Sequence, residues 1–301
     1  MKKKELTAIV GVVAILIVAA LAVVLLTGED NVRQMPDISS IAELEEHKAA
    51  FDGKIIGIDA GAGIMMATED AIDVYGLSYT LQSSSSPAML AALDAAFNKQ
   101  EAIVVTMWSP HWAVAKYNLV YLDDPEGVFG GAENITTIAN TTWATSNPDA
   151  AGIGERFNWT MDDIGSVMLA IEEGATPAAA AQDWIDDNPD AVAGWINGVT
   201  GSGTVTIGLV NWECAVASSN VMKLVFEEAG YTVDLLETDA GPMYVGLSNN
   251  DADISFTAWV PLTHQSYFEN YVASAGGDGS IIELGVSVGG AKIGLAVPVY
   301  E

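Results

Sequence analysis

The segment Ile254-Ser-Phe-Thr-Ala-Trp259-Val-Pro261-Leu-Thr-His264 constrains the chain more than any other. Its first part is β-branched and aromatic, the composition of a half-buried strand. Pro261 stops it, because proline has no N–H with which to continue a ladder. A tryptophan is left at the strand's exit, with a histidine shortly beyond. Two other stretches repeat the device: Ile103-Val-Val-Thr-Met-Trp108 runs into Ser109-Pro110-His111, and Val205-Thr-Ile-Gly-Leu-Val-Asn-Trp212 runs into Glu213. One tryptophan at such a place is most often core. Three at strand exits point elsewhere, since open α/β sheets bind ligands beyond the carboxyl ends of their strands. Indoles converging there form an aromatic cage, whose natural guest is a quaternary ammonium.

The remaining chain alternates strands with helices. Gly53 to Asp59 reads as a strand that turns through Ala60-Gly61-Ala62-Gly63-Ile64-Met65 into a helix reaching Ala71. Such a turn presents free backbone N–H groups at a helix N-terminus, a place for a small carboxylate; the plainer reading is a tight βα turn. It is no nucleotide fingerprint, lacking a third spaced glycine and the phosphate-binding lysine. Ser83 to Ser86 with Pro87 begins a helix, and Ala113 to Tyr117 continues as another. The stretch from Thr137 to Val199 reads as mostly helical, with starts at Thr160, Thr176-Pro177 and Asn188-Pro189, so Trp143, Trp159, Trp184 and Trp195 are assigned to packing. Gly201-Ser-Gly203 is a joint. After it come the strand ending at Trp212, a helix Ser219–Ala229, a strand Thr232–Leu236, a helix Pro242–Leu247 and the strand to Trp259. Ile293 to Pro298 is a strand returning towards the first part. The alternation predicts a parallel sheet in each of two lobes.

At the N-terminus, Lys2, Lys3 and Lys4 precede an apolar run from Leu6 to Leu26, long enough to cross a bilayer; a secretory signal peptide is the competing reading, disfavoured because the run is long and ends without a small-x-small site. The lysines orient it with residues 1–5 in the cytoplasm and the rest outside. The expected division is a cytoplasmic N-terminus 1–5, a transmembrane anchor 6–26, a linker 27–40, a lobe of residues 41–120 joined by 296–301, and a lobe of residues 121–295. A formal net charge of −29 repels nucleic acid and anionic lipid. The carboxylates are scattered rather than massed, which suits a halophilic surface. Cys214, alone in the sequence, can form no internal disulfide, and with three histidines no Cys/His metal cluster is available. Asn134, Asn140 and Asn158 each begin an N-x-T sequon.

Several stretches carry a resemblance: residues 53–65, Val105-Thr-Met-Trp-Ser-Pro-His-Trp112, Phe157-Asn-Trp-Thr160, Gly208-Leu-Val-Asn-Trp212, Ala240-Gly-Pro-Met243, residues 258–264 and residues 290–298. In these the chain resembles the substrate-binding proteins of ABC transporters for glycine betaine and proline betaine, which have the periplasmic-binding-protein fold. The order of the segments is similar to that of the circularly permuted branch. The resemblance implies an α/β, two-lobe type II fold. It also implies a tryptophan prism at Trp108, Trp212 and Trp259, with the ligand carboxylate held by the N–H groups of Gly63 and Ile64 and by the side chain of His264. It implies no cofactor, and a partner permease with its ATPase subunit. Ala60, Ala62 and the Glu213-Cys214 pair depart from common residues of the family.

The expected function is therefore extracytoplasmic capture of glycine betaine or a similar quaternary-ammonium solute for an ABC importer. Receptors for choline or carnitine, and a surface protein without a transport role, are the alternatives. An enzyme using Cys214 or Ser109 with His264 or His111 is disfavoured, because no orienting carboxylate or oxyanion hole stands in register with either pair.

Overall fold

The computed structural model describes residues 34–300. The lysines, the apolar run 6–26 and the first part of the linker lie outside the described residues. Among those described, no helix is long and apolar enough to cross a membrane.

The described residues form one sheet of nine strands: β1 (Lys54–Ile56), β2 (Thr80–Gln82), β3 (Val105–Ser109), β4 (Leu119–Tyr121), β5 (Glu133–Asn140), β6 (Thr204–Leu209), β7 (Thr232–Glu237), β8 (Ile254–Val260) and β9 (Ile281–Pro298). The order is β2-β1-β3-β9-β5-β8-β6-β7, with β4 also on β9. A repeat is visible in it. In the first half β1 lies parallel to β2 and β3, and β3 is flanked by antiparallel β9. In the second half β6 lies parallel to β7 and β8, and β8 is flanked by antiparallel β5.

The expected all-parallel sheets are thus mixed, for a topological reason. β3 and β8 both end at the cleft between the halves. β5 and β9 each arrive from the opposite half through that cleft, and a strand entering there must run against its neighbour. β9 is the longest connection: it pairs with β5 from Ile281 to Ala291, then with β3 from Lys292 to Ala296. The change of partner follows Gly289-Gly290, and Gly290 has φ +82°, a backbone that side chains disfavour. β5 was not expected, since its residues fell partly in the stretch read as helical. Its Ile135-Thr-Thr-Ile138 core is β-branched and buried between β8 and β9, so it shows no alternation of apolar and polar residues.

Helix starts follow their capping residues. Thr160 and Asp163 form a capping box ahead of Met161–Glu172, and Ser85 and Thr176 accept N–H bonds ahead of Ser86–Lys99 and Pro177–Asp187. Trp143, Trp159, Trp184 and Trp195 are all buried. Trp184 and Trp195 stack at 5.7 Å, and Trp159 meets Trp184 edge-on at 5.5 Å. These rings belong to the core of the second half.

Candidate functional site

A small, tight cavity of about 20 Å³ lies between the halves, lined by Ile58, Ala62, Ile64, Trp108, Trp212, Trp259, Thr263 and Ile293. Trp108 and Trp259 stand near the ends of β3 and β8, each just ahead of a proline that halts its strand. Trp212 lies beyond the end of β6, at the N-cap of the helix Glu213–Glu228, which begins earlier than the expected Ser219. All three indoles are nearly inaccessible, yet the wall they share is the cavity's.

Ile64 lines the same cavity, and Gly63 is the first residue of the helix Gly63–Val74. The first N–H groups of a helix have no intrahelical acceptor, and the N-cap, Ala62, offers no side-chain oxygen. At Gly63 the two halves approach closely. A Cβ built there would lie 1.7 Å from the carbonyl oxygen of Thr263, so the position admits only glycine in this arrangement.

His264 is not among the lining residues; its ring is fully buried, 5.8 Å from the Trp212 ring. Its Nδ1 accepts the backbone N–H of Trp259 at 3.1 Å and lies 3.0 Å from the Tyr244 hydroxyl. An accepting Nδ1 leaves the proton on Nε2, and Nε2 has no partner among the described residues. Burial lowers the ring's pKa to about 3, so it is neutral at ordinary pH. Tyr244 in turn stacks on Tyr267 at 4.4 Å, which fixes the ring behind His264.

Other polar contacts join the two halves around the cavity. Trp212 Nε1 donates to Asp59 Oδ2 at 2.9 Å, and the Tyr267 hydroxyl donates to the Gly61 carbonyl at 2.8 Å. Ser86 donates to Glu213 Oε2 at 2.7 Å, and Lys116 pairs with Glu172. Burial, and secondarily the charge of Asp239, raise the Asp59 pKa against the opposing Trp212 hydrogen bond. Glu133 organises the loop between β8 and His264: its buried carboxylate accepts the N–H groups of Leu262 and Thr263, at 2.6 and 2.8 Å, and the Thr263 hydroxyl.

Asp59 and Glu133 were not among the residues singled out from the sequence. Asp59 had a signal, an acid at a strand exit beside the glycine turn. Glu133 had none, since it acts on a loop about 130 positions away. The Cys214 thiol is pushed up to about 12, chiefly by burial, the opposite of what a nucleophile needs. A larger groove at the outer seam is lined partly by Trp112 and Tyr117. Lys116 already lies over both rings, at 4.9 and 5.4 Å, so they are not free to receive a cation.

Paired half-sheets with an aromatic-lined cavity at their strand exits define an α/β protein of the periplasmic-binding-protein type. The family described as the substrate binding domain of the ABC-type glycine betaine transport system matches residues 19–187 and 203–301, and the chain belongs to it. It is 40% identical over 251 residues to the glycine betaine/carnitine transport binding protein GbuC of Listeria monocytogenes serotype 1/2a (strain 10403S), covering 82% of each chain. It is 24% identical over 179 residues to the glycine betaine-binding periplasmic protein OusX of Dickeya dadantii (strain 3937), covering 48% of this chain and 53% of that protein. Among solved structures it is similar to lactococcal OpuAC in its closed-liganded conformation with glycine betaine. That match has 39% identity and a TM-score of 0.50, over 54% of this chain and 63% of that one.

Proposed function

We propose that the chain captures glycine betaine, or a zwitterion of the same build, between two lobes and delivers it to an ABC importer. The observation that carries this reading is the convergence of Trp108, Trp212 and Trp259 on one small cavity. A quaternary ammonium has no N–H to donate, so ring faces and dispersion are what can recognise it. Each desolvated cation–π contact is worth on the order of 0.5–2 kcal/mol. The carboxylate end takes the N–H groups of Gly63 and Ile64 and the Nε2–H of His264, each charge-assisted bond worth about 1.5–3 kcal/mol. Less the ordering costs, these sums reach the roughly 8 kcal/mol of micromolar binding.

The lobes are the two half-sheets. Trp108, Gly63 and Ile64 stand on the first and Trp212, Trp259 and His264 on the second, so the site is complete only when the cleft closes. Closure then marks the loaded state for a permease. The segment order is that of a circularly permuted chain. The domain works on the extracytoplasmic side, with the run Leu6–Leu26 as its tether; membrane fractionation before and after deletion of residues 6–26 tests the tether.

Choline has no carboxylate, so a site built on Gly63, Ile64 and His264 disfavours it. GbuC's name pairs glycine betaine with carnitine, which makes carnitine the competitor to measure. Calorimetric titration with glycine betaine, carnitine and choline is expected to rank glycine betaine first and choline last by at least tenfold. Tightest binding of choline would contradict the carboxylate half of the site.

A further inference from the structure

The two halves repeat one another around the cavity, and in each a histidine stands at the N-cap of the helix that follows the tryptophan-bearing strand. β3 ends at Ser109 with Pro110 and His111 following, and β8 ends at Val260 with Pro261 and His264 following. Both rings are buried, and both use Nδ1 to accept a backbone N–H of their own loop. His111 takes that of Ala113 at 3.0 Å, and His264 that of Trp259 at 3.1 Å. Each therefore keeps its proton on Nε2.

What the two Nε2–H groups meet is different. His264 Nε2 has no partner among the described residues. His111 Nε2 lies 3.3 Å from Glu213 Oε2, a polar contact poorly aligned for a full hydrogen bond. The same oxygen accepts the Ser86 hydroxyl at 2.7 Å. Glu213 belongs to the second half, where it opens the helix after Trp212, while Ser86 and His111 belong to the first. The His111 ring also packs edge-on against Trp108, with centroids 4.7 Å apart. One partly buried carboxylate thus ties the segment bearing one tryptophan of the cavity wall to the loop supporting another.

We propose that Glu213 is a built-in counterpart of the ligand's carboxylate: it occupies the His111 side of the repeat as the ligand occupies the His264 side, and it latches the closed cleft. It is a positioning residue, acting on Trp108 and Trp212 through His111 and Ser86, and it does not touch the ligand. The proposal rests on the reading that the cage and His264 hold a betaine-type ligand.

The test uses the full chain with Glu213→Ala, Glu213→Gln, Ser86→Ala and the Ser86→Ala/Glu213→Ala pair. Release of glycine betaine is followed by stopped-flow tryptophan fluorescence. Glu213→Ala is expected to speed release at least tenfold while leaving association and the ligand-free melting temperature near wild type. Ser86→Ala speeds it about threefold, and the pair releases no faster than Glu213→Ala alone. Glu213→Gln, whose amide oxygen still accepts from Ser86, recovers most of the loss.

A second arm needs no ligand. Spin labels at Asp70→Cys and Asp187→Cys, exposed positions on helices of opposite halves, report cleft width. Glu213→Ala is expected to shift the ligand-free distances to longer values, and Glu213→Gln to restore them. A wild-type chain that fails to bind glycine betaine would remove the functional reading, and the distances would still decide the latch. Unchanged distances together with unchanged release in Glu213→Ala would overturn it. Should Glu213→Ala not fold, Ser86→Ala decides: wild-type release and distances in that variant would overturn the latch equally.

Discussion

His264 shows how a single buried ring can be committed to one role. Its Nδ1 is taken by Trp259 and Tyr244, so its one remaining donor is Nε2–H. With a pKa lowered to about 3 by burial, the ring stays neutral through physiological pH. Affinity for glycine betaine is therefore expected to be flat between about pH 6 and 8. A tenfold loss as pH rises across that range, seen by titration, would identify a charged imidazolium instead. Stability carries the same information with a definite sign. The unfolded ring protonates near pH 6.5 while the folded one resists until about 3. The stabilisation is thus complete above 6.5 and is lost as pH falls towards 3, on the order of 2 kcal/mol by pH 5. Replacing the ring by His264→Asn should flatten that part of the melting-temperature profile. At the cage, Trp108→Ala, Trp212→Ala and Trp259→Ala are each expected to weaken glycine betaine binding at least tenfold, about 1.4 kcal/mol, with circular dichroism unchanged. Wild-type affinity in two of the three would remove the cage.

At the scale of elements, the segments that present the site were more legible than those that support it. Strand exits at Trp108 and Trp259 announced themselves because a proline follows each, and the turn into the helix at Gly63 because glycine clusters there. β5 did not, because a strand buried on both faces loses its alternation and looks like any β-branched run. The length of β9 was hidden for a related reason: Gly289-Gly290 reads as a break, whereas the chain bends there and changes partner without leaving the sheet. Glu133 on β5 is the supporting residue with the clearest consequence. Three donors of one loop converge on its carboxylate. Glu133→Ala leaves them unpaired, at about 1–3 kcal/mol for each buried group. A melting-temperature fall of several degrees with weaker ligand binding is expected, and a variant as stable as wild type would show that the loop holds its shape alone. Gly63→Ala separates folding from closure. Its added methyl meets Thr263, a residue of the opposite half. The ligand-free melting temperature should barely move while affinity drops at least tenfold; an unaltered affinity would mean that the halves need not approach this closely.

The whole molecule is two similar half-sheets sharing β9, with the cavity where their strand exits face one another. That arrangement brings residues scattered from Ile58 to Ile293 in the sequence to one cavity. Each half has one tryptophan two residues ahead of a proline and, shortly after, one buried histidine. The pairing of the halves could not be read from local pattern, since nothing near Asp59 indicates that it receives the indole N–H of Trp212. The proposed recognition of a small zwitterion by rings and fixed dipoles also suits a chain with a formal charge of −29. Attraction by its surface acts only within a Debye length, about 8 Å at physiological salt, whereas a closed cage works at any ionic strength. The measurement that bears most directly on this account is a calorimetric comparison of glycine betaine with 3,3-dimethylbutanoate, which has the same shape and carboxylate but carbon in place of the ammonium nitrogen. Glycine betaine is expected to bind at least a hundredfold more tightly, and equal affinities would contradict recognition of the cation by Trp108, Trp212 and Trp259.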